Sequence, residues 1–540
     1  MIRLFTFSFL LAGTLFAQTL QEISDKPEGH VKNFLLWEYL QDDVSAADAE
    51  TAFEQFENVN YKLYMAYAER SGDPDVKECA RCWKLSASEL STEASDDCVR
   101  MALSPSKVAS TPAEARGALF ARFENAFEAP WLEMMAELTP ESDIESYAPS
   151  LFVTVASSAG QEYRREMFER SYTQEFIERL GQVSGFGRLI KLVVTDAKME
   201  QFQRSLLSFD GAKLKGESLF FLALNQLHYG DRHAALKLLE RAYDTFYYRM
   251  DKDKALFWQY LVTKEPQLLQ LLSQSVDINI YSLYANEMLD RSVDNYFITL
   301  NVDKKKPQID ITDPFEWERL VRMIRETPKE ELFDLAKEFR SELLLPVQAF
   351  ILERAYGYKM HSYIVPYADE MYDMPSDKKA MMLSLMRQES HFIPSSLSRS
   401  YAMGLMQMMP FLVKAMDKQQ QRDTGTFEKM FDPETNIAYA SKHLDYLDEY
   451  LYHPLLIAYA YNGGIGFTKR YLLSGAFSEG SYEPFWSMEM MANSESREYG
   501  KKVLANYVIY KRIFGEKVSI VHLFDNLKHP SRSDRFRASK

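Results

Sequence analysis

The stretch ESLFFLALNQLHYGDRHAALKLLERAYDTF at 217–246 decides the fold. Its apolar residues recur at three- and four-residue spacings over 217–229 and again over 233–246, the pattern of helices that each bury one face. Between the two runs, Gly230 suits the position just past a helix end. Asp231 suits the N-cap of the next helix, where its carboxylate can accept from free backbone N–H groups. The stretch therefore predicts a helical hairpin.

The same spacing runs outward from 19 to about 290, broken by short polar turns, but no strict repeat period emerges. An irregular α-superhelix, a solenoid whose closure into a ring the sequence leaves open, is the expected form of 18–300. A polar, proline-punctuated segment at 301–314 marks a boundary, and helices resume over 316–356. A second break near 357–366 precedes a C-terminal region in which specific polar residues stand at helix ends and in glycine-containing loops. The expected division is a superhelical domain 18–300, a helical linker domain 301–360 and a C-terminal helical domain 361–540. With 540 residues, several cores are expected. Only 21 Gly and 20 Pro are present, too few turn residues for an all-β chain. The 35 Phe and 32 Tyr offer either core or sugar-stacking surface, with core the default.

A net charge of −15 without a clustered basic face argues against nucleic acid as a partner. Residues 1–17 read as a signal peptide: Arg3 gives the positive start, 4–16 the apolar run and Ala17 a cleavage site, although Leu15 stands where a small residue is preferred. The expected location is thus periplasmic. Cys79, Cys82 and Cys98 lie within twenty residues of one another. In an oxidising compartment this predicts one disulfide and one free thiol, with the pairing open. No fourth Cys or nearby His completes a zinc set around Cys79-x-x-Cys82, so no metal is expected. No Gly-rich phosphate loop is convincing either, so no cofactor is expected. His391 lacks a second ligand at helical spacing and reads as a loop residue.

Chemistry concentrates in the last third. The run from Pro375 to Ser390 predicts a helix, with Ser376 as cap and Asp377 in the first turn. Seven, four and three residues before Glu389 stand Met382, Leu385 and Met386, so its carboxylate continues an apolar face. Loss of hydration and the negative end of the helix dipole both raise its pKa, as a general acid for glycoside cleavage requires. A solvated Glu at a frayed end, paired with Arg387 or Lys379, is the alternative from position alone.

Four further motifs follow in order: Ser398-x-Ser400-Tyr401-Ala402-Met403-Gly404-Leu405-Met406-Gln407-Met408-Met409-Pro410, then Asp432-Pro433-Glu434-Thr435-Asn436-Ile437, then Ala460-Tyr461-Asn462-Gly463-Gly464, and finally Glu495-Ser496-Arg497-Glu498-Tyr499. Together with Glu389-Ser390 they resemble the soluble lytic transglycosylases, over roughly 363–513. The resemblance implies a goose-type-lysozyme-like catalytic domain, with the helical N-terminal half similar to the ring-forming part of the large periplasmic members. It implies Glu389 as catalytic acid and base, Ser398 orienting the substrate sugar, and Gln407 and Met409 lining the glycan groove. It also implies Tyr461 and Asn462 as substrate-binding residues of an Ala-Tyr-Asn motif whose tyrosine points toward the catalytic centre, Glu495 contacting the stem peptide, and Arg497 and Tyr499 supporting the cleft. Taken singly, each has an ordinary structural reading, such as a loop cap for Ser398 or a surface ion pair between Arg497 and Glu495. Tyr401 and Met403 depart from the family pattern, which has Gly and a small residue there. The loop is therefore expected to narrow the groove or take another path.

Most glycosidases use two carboxylates. The resemblance implies one, with Asp432 and Glu434 serving helix capping and support. The expected reaction cleaves the bond between N-acetylmuramic acid and N-acetylglucosamine in peptidoglycan, leaving a 1,6-anhydro end. Glycan strands and stem peptides are then the partners of a monomer, with other cell-wall proteins as candidates. The rivals are a lysozyme-like hydrolase and a noncatalytic envelope scaffold. Endo- or exo-action and stem-peptide preference stay open.

Overall fold

The computed structural model describes residues 18–303, 309–421 and 425–538; the expected signal peptide lies outside them. The fold is mostly helical from end to end. The hairpin at 217–246 forms as Glu217–His228 and Arg232–Thr245. Gly230 takes a φ of +92°, and the Asp231 carboxylate accepts from the Ala234 N–H at 2.8 Å. Hairpins of this kind follow one another as far as Ile280–Met288. Among the described residues no helix is long and apolar enough to cross a membrane.

The only strands among the described residues are Tyr296–Phe297 and His361–Ser362, a short parallel pair that stitches the two chain breaks together. Between them, 309–355 close on a core of their own, built on Leu320, Ile324, Leu332, Val347 and Ile351. Ile393, four residues past Glu389, also enters that core. By contrast, one continuous apolar core runs through the helices before 290 and those after 361. The two ends of the chain are thus packed on each other across a shared interior, which fixes their relation far more firmly than a polar contact would.

Three helices organise the C-terminal region. Ser376–Ser390 and Pro454–Gly463 both pack on the long helix Ser494–Ile513. The second contact is close because Gly500 lies against Tyr459: a Cβ there would come within 2.3 Å of the Tyr459 ring. The Ser376–Ser390 helix differs from expectation in two respects. Its N-cap is Pro375, which has no side chain to offer, and the Ser376 hydroxyl instead donates to Glu516. Moreover, Ala380 to Met386 are all buried, so the helix is enclosed on every side instead of presenting one apolar face.

Candidate active site

Glu389 occupies the last turn of that enclosed helix, which ends at His391 in the left-handed region with φ +51°. Met382, Leu385 and Met386 behind it are fully buried. The Glu389 carboxyl itself is half-buried. Burial pushes its pKa up to about 7; the Tyr499 hydroxyl pulls downward and the charge of Glu495 adds a smaller upward push. Tyr499 donates to Glu389 Oε1 at 2.6 Å, while among the described residues Oε2 takes no hydrogen bond. One oxygen is thereby oriented and the other left available to a proton.

Neither Arg387 nor Lys379 pairs with Glu389. The Arg387 guanidinium donates to Glu353 at 2.8 Å, to the Ser362 carbonyl at 2.8 Å and to Asn506 at 3.3 Å, and lies over the Tyr363 ring. Lys379 donates to the Tyr372 carbonyl. Glu353 is buried; desolvation alone would raise its pKa, but Arg387, His391 and the Ser362 donors hold it low. This ion pair anchors the helix of Glu389 to the segment before it, and Glu353 is a supporting residue that sequence reading missed. His391 is half-exposed, its Nδ1 3.9 Å from Glu353.

The loop after Glu389 is a tight hairpin. Met403 and Met408 exchange backbone hydrogen bonds, and Gln407 closes the turn at φ +48° with its side chain donating to the carbonyls of Ser396 and Gly404. Gly404 has φ +77°, and a Cβ there would lie 2.1 Å from the Met430 carbonyl oxygen. No other residue fits. Asn436, fully buried, donates to the Met403 and Met430 carbonyls and accepts from Met406 N–H, while Asp432 caps its helix at Thr435. Ser398 accepts from the backbone N–H groups of Ser400 and Ala402, which leaves its own hydroxyl proton free to donate. Met409 is half-buried at the N-cap of Pro410–Gln420.

Tyr401 does not narrow this site. It is fully buried at φ +62° and turned into the N-terminal helices, with ring centroids 5.2 Å from Trp37, 5.4 Å from Phe34 and 5.6 Å from His30. Its hydroxyl accepts from Asn60 at 3.0 Å. Alongside, His30 Nε2 donates to the Ser398 carbonyl at 2.9 Å and Lys62 donates to that of Ser400 at 2.8 Å. Where the family pattern has a glycine, this chain therefore has an anchor. His30, Asn60 and Lys62 had no local signal; the departure at Tyr401 was the one clue that the loop has a partner elsewhere.

Tyr461 donates to the Met406 carbonyl at 2.7 Å, and its pKa lies well above the ordinary value through burial and the charge of Glu389. Asn462 donates to Glu495 at 3.3 Å and accepts from Ser496 at 2.7 Å, so it links the end of Pro454–Gly463 to the start of Ser494–Ile513. Glu495 is exposed beside it. Arg497 does not take the surface position that its ordinary reading as a partner of Glu495 would need. It is fully buried, donating to Glu217 at 2.6 Å, Glu498 at 3.0 Å and the Met491 carbonyl at 3.1 Å, and it forms no ion pair with Glu495. With no exposed surface it cannot touch a substrate directly; it ties the long helix to Glu217 of the N-terminal half.

The cysteines resolve as a Cys82–Cys98 disulfide with Cys79 free. Glu78, Cys82 and Cys98 cluster closely enough to suggest a metal site, but both sulfurs are spent in the disulfide.

The site thus brings together a half-buried carboxylic acid near neutrality, a tyrosine that holds it and a rigid hairpin that faces it. Residues 366–481 match the Transglycosylase SLT domain, which takes in Glu389, Ser398, Gln407, Met409, Tyr461 and Asn462. The chain is similar in sequence to soluble lytic murein transglycosylases. It is 28% identical over 222 residues to the soluble lytic murein transglycosylase of Escherichia coli K12, covering 39% of this chain and 33% of that protein. It is 27% identical over 205 residues to a putative soluble lytic murein transglycosylase of Haemophilus influenzae, covering 37% and 34%. These matches span about a third of each relative's length. The fold as a whole is similar to that of the 70 kDa soluble lytic transglycosylase from Escherichia coli, with 17% identity, TM-score 0.50, and 92% of this chain and 88% of that one covered.

Proposed function

We propose that this protein is a lytic transglycosylase acting on peptidoglycan, with Glu389 as acid and then base. The observation that carries the reading is the Glu389 carboxyl: burial holds it near pH 7, one oxygen is fixed by Tyr499, and the other is free to carry the proton. The proton passes to the oxygen joining N-acetylmuramic acid C1 to N-acetylglucosamine, and that C1–O bond breaks. Positive charge develops on the muramyl ring. The carboxylate left behind takes the proton of the muramyl C6 hydroxyl, whose oxygen bonds to C1 and closes the 1,6-anhydro ring. An internal nucleophile needs only correct orientation to outrun water. Ser398, with its hydroxyl proton unspent, Gln407 and Met409 on the hairpin, and Tyr461 would hold the sugars; Asn462 and Glu495 would meet the stem peptide. Such a substrate suits the periplasmic side of an envelope, consistent with the expected export signal.

Among the described residues Glu495 is the carboxylate whose charge acts on Glu389, and it favours a second reading, a hydrolase that delivers water. The masses of fragments released from purified peptidoglycan separate the two. Anhydro products lack one water relative to hydrolytic ones, and a predominance of reducing ends would refute the transglycosylase reading. Glu389→Gln, folded as judged by its melting curve, should release no fragments; undiminished release would remove Glu389 from the mechanism.

A further inference from the structure

The N-terminal helices carry a groove that the proposed reaction does not use. It measures about 470 Å³ and is lined by Phe53, Val59, Tyr61, Tyr64, Trp83 and Lys107. Tyr61 is 56% exposed, Val59 47% and Trp83 39%, and the Trp83 ring lies 5.9 Å from that of Tyr61 and 5.1 Å from that of Tyr64. A cluster of large apolar surfaces left in water marks a binding face more often than an accident of packing.

We propose that this groove is a distal glycan subsite, holding a further sugar of the same strand that occupies the site around Glu389; this rests on the transglycosylase reading. Its position is the first reason. Tyr61 stands between Asn60 and Lys62, which donate to Tyr401 and to the Ser400 carbonyl, so the groove begins where the Ser398–Tyr401 loop ends. The helix that carries Tyr61 is therefore fastened to the loop that follows Glu389. Chemistry is the second. A sugar ring presents a C–H face that stacks on an aromatic ring and hydroxyls that need polar partners, and this groove has aromatic walls and Lys107, whose ammonium spends one donor on the Trp83 carbonyl and keeps others. Lys107 also offers a cation to the lactyl carboxylate of a muramyl residue in a strand stripped of its peptides.

The walls are built to stay in place. Trp83 lies on Pro74–Lys84, and Met101 and Ala102 of the same groove end the helix Asp96–Ala102. The Cys82–Cys98 disulfide joins these two helices one residue from Trp83. A preformed aromatic wall loses little entropy when a ligand stacks on it.

The test measures binding without cleavage, in the Glu389→Gln background, by calorimetry with two probes: long peptide-free peptidoglycan strands and a tetrasaccharide too short to span both places. Adding Trp83→Ala or Tyr61→Ala should cut the preference for long strands over the tetrasaccharide about tenfold. An unchanged preference in both variants would overturn the proposal. So would an equal loss for both probes, which would reveal damage to the site around Glu389 instead. Melting curves of each variant exclude unfolding as the cause. Should the unmutated protein release no glycan fragments, the transglycosylase reading fails, while the binding ratios still decide whether the groove holds glycan.

Discussion

Replacing Tyr499 with Phe removes one hydroxyl and leaves the ring that fills the space beside Glu389. The hydroxyl donates to Oε1 at 2.6 Å and is the one side-chain hydrogen bond that favours the charged form of Glu389. A hydrogen bond to a charged acceptor contributes about 1.5–3 kcal/mol, and about 1.4 kcal/mol corresponds to one pH unit. The burial that raises the pKa persists in the variant. From a starting value of about 7, the Glu389 pKa should therefore climb by about one to two units.

The assay is the pH dependence of kcat/KM for fragment release from purified peptidoglycan. A general acid must enter the reaction protonated, so activity falls as pH rises through its pKa in the free enzyme. That falling limb should lie near pH 7 in the unmutated protein and move to higher pH in Tyr499→Phe. The alkaline side would then gain relative activity even if the maximum rate drops from looser positioning. A limb that stays put, or shifts to lower pH, would refute the claim that Tyr499 tunes Glu389. Abolition of the limb would point to Tyr499 itself as the titrating group.

Three other expectations rest on separate features. Because the folded-state pKa of Glu389 is raised, the stability it contributes is present below about pH 4.5 and is lost as pH rises through about 7. Glu389→Gln should accordingly gain on the unmutated protein across that window, by up to about 3 kcal/mol at pH 8, in urea unfolding; a constant difference would show that Glu389 titrates normally. Tyr401→Ala empties a buried ring site and should cost about 3–5 kcal/mol, whereas Tyr401→Gly, suited to φ +62°, should cost about 1 kcal/mol less despite removing more atoms. The reverse order in thermal unfolding would mean that the loop does not hold that backbone. Arg497→Met leaves Glu217, Glu489 and Glu498 short of a buried cation and should destabilise by about 3–5 kcal/mol. Adding Glu217→Gln should recover part of that loss, and strictly additive effects would show that the two do not interact.

What the sequence made legible was whatever is local. The hairpin at 217–246 could be read because its ends are marked by Gly230 and Asp231 within the turn itself, and the capping role of Asp432 because the backbone N–H that donates to it is three residues away. The raised pKa of Glu389 was readable from spacing, although the enclosure turned out to be complete over Ala380 to Met386. Ser376 was misread as a cap because a hydroxyl near a helix start usually bonds the backbone; here Glu516, 140 residues on, is the acceptor. Tyr401 left two expectations open, a narrowed groove or another path for the loop, for a related reason. A large ring in a loop near a catalytic residue suggests a narrowed groove, but its partners His30, Phe34, Trp37 and Asn60 come from the other end of the chain, and no spacing rule reaches across 340 residues.

The same distinction explains how the N-terminal half bears on the chemistry. On the helix Ser494–Ile513, Glu495 and Tyr499 are four residues apart and share a face, which meets Asn462 and Glu389. Arg497 and Lys501, likewise four apart, point the other way, into a set of charges in which Glu489 and Lys254 are buried and Glu217 and Glu498 partly exposed. One rigid helix thus carries the tyrosine that positions the acid on one side and is bolted to the N-terminal helices on the other. The hairpin opposite is held from the same direction, through His30, Asn60 and Lys62. Both walls facing Glu389 are therefore referenced to a single body, the N-terminal half, so a shift in that half would move hairpin and tyrosine together and preserve their spacing across the acid. A C-terminal fragment lacking residues before 300 would lose the partners of Tyr401 and, with Glu217, the N-terminal partner of Arg497 at once. It should fail on both walls even with every residue of the proposed catalytic set intact.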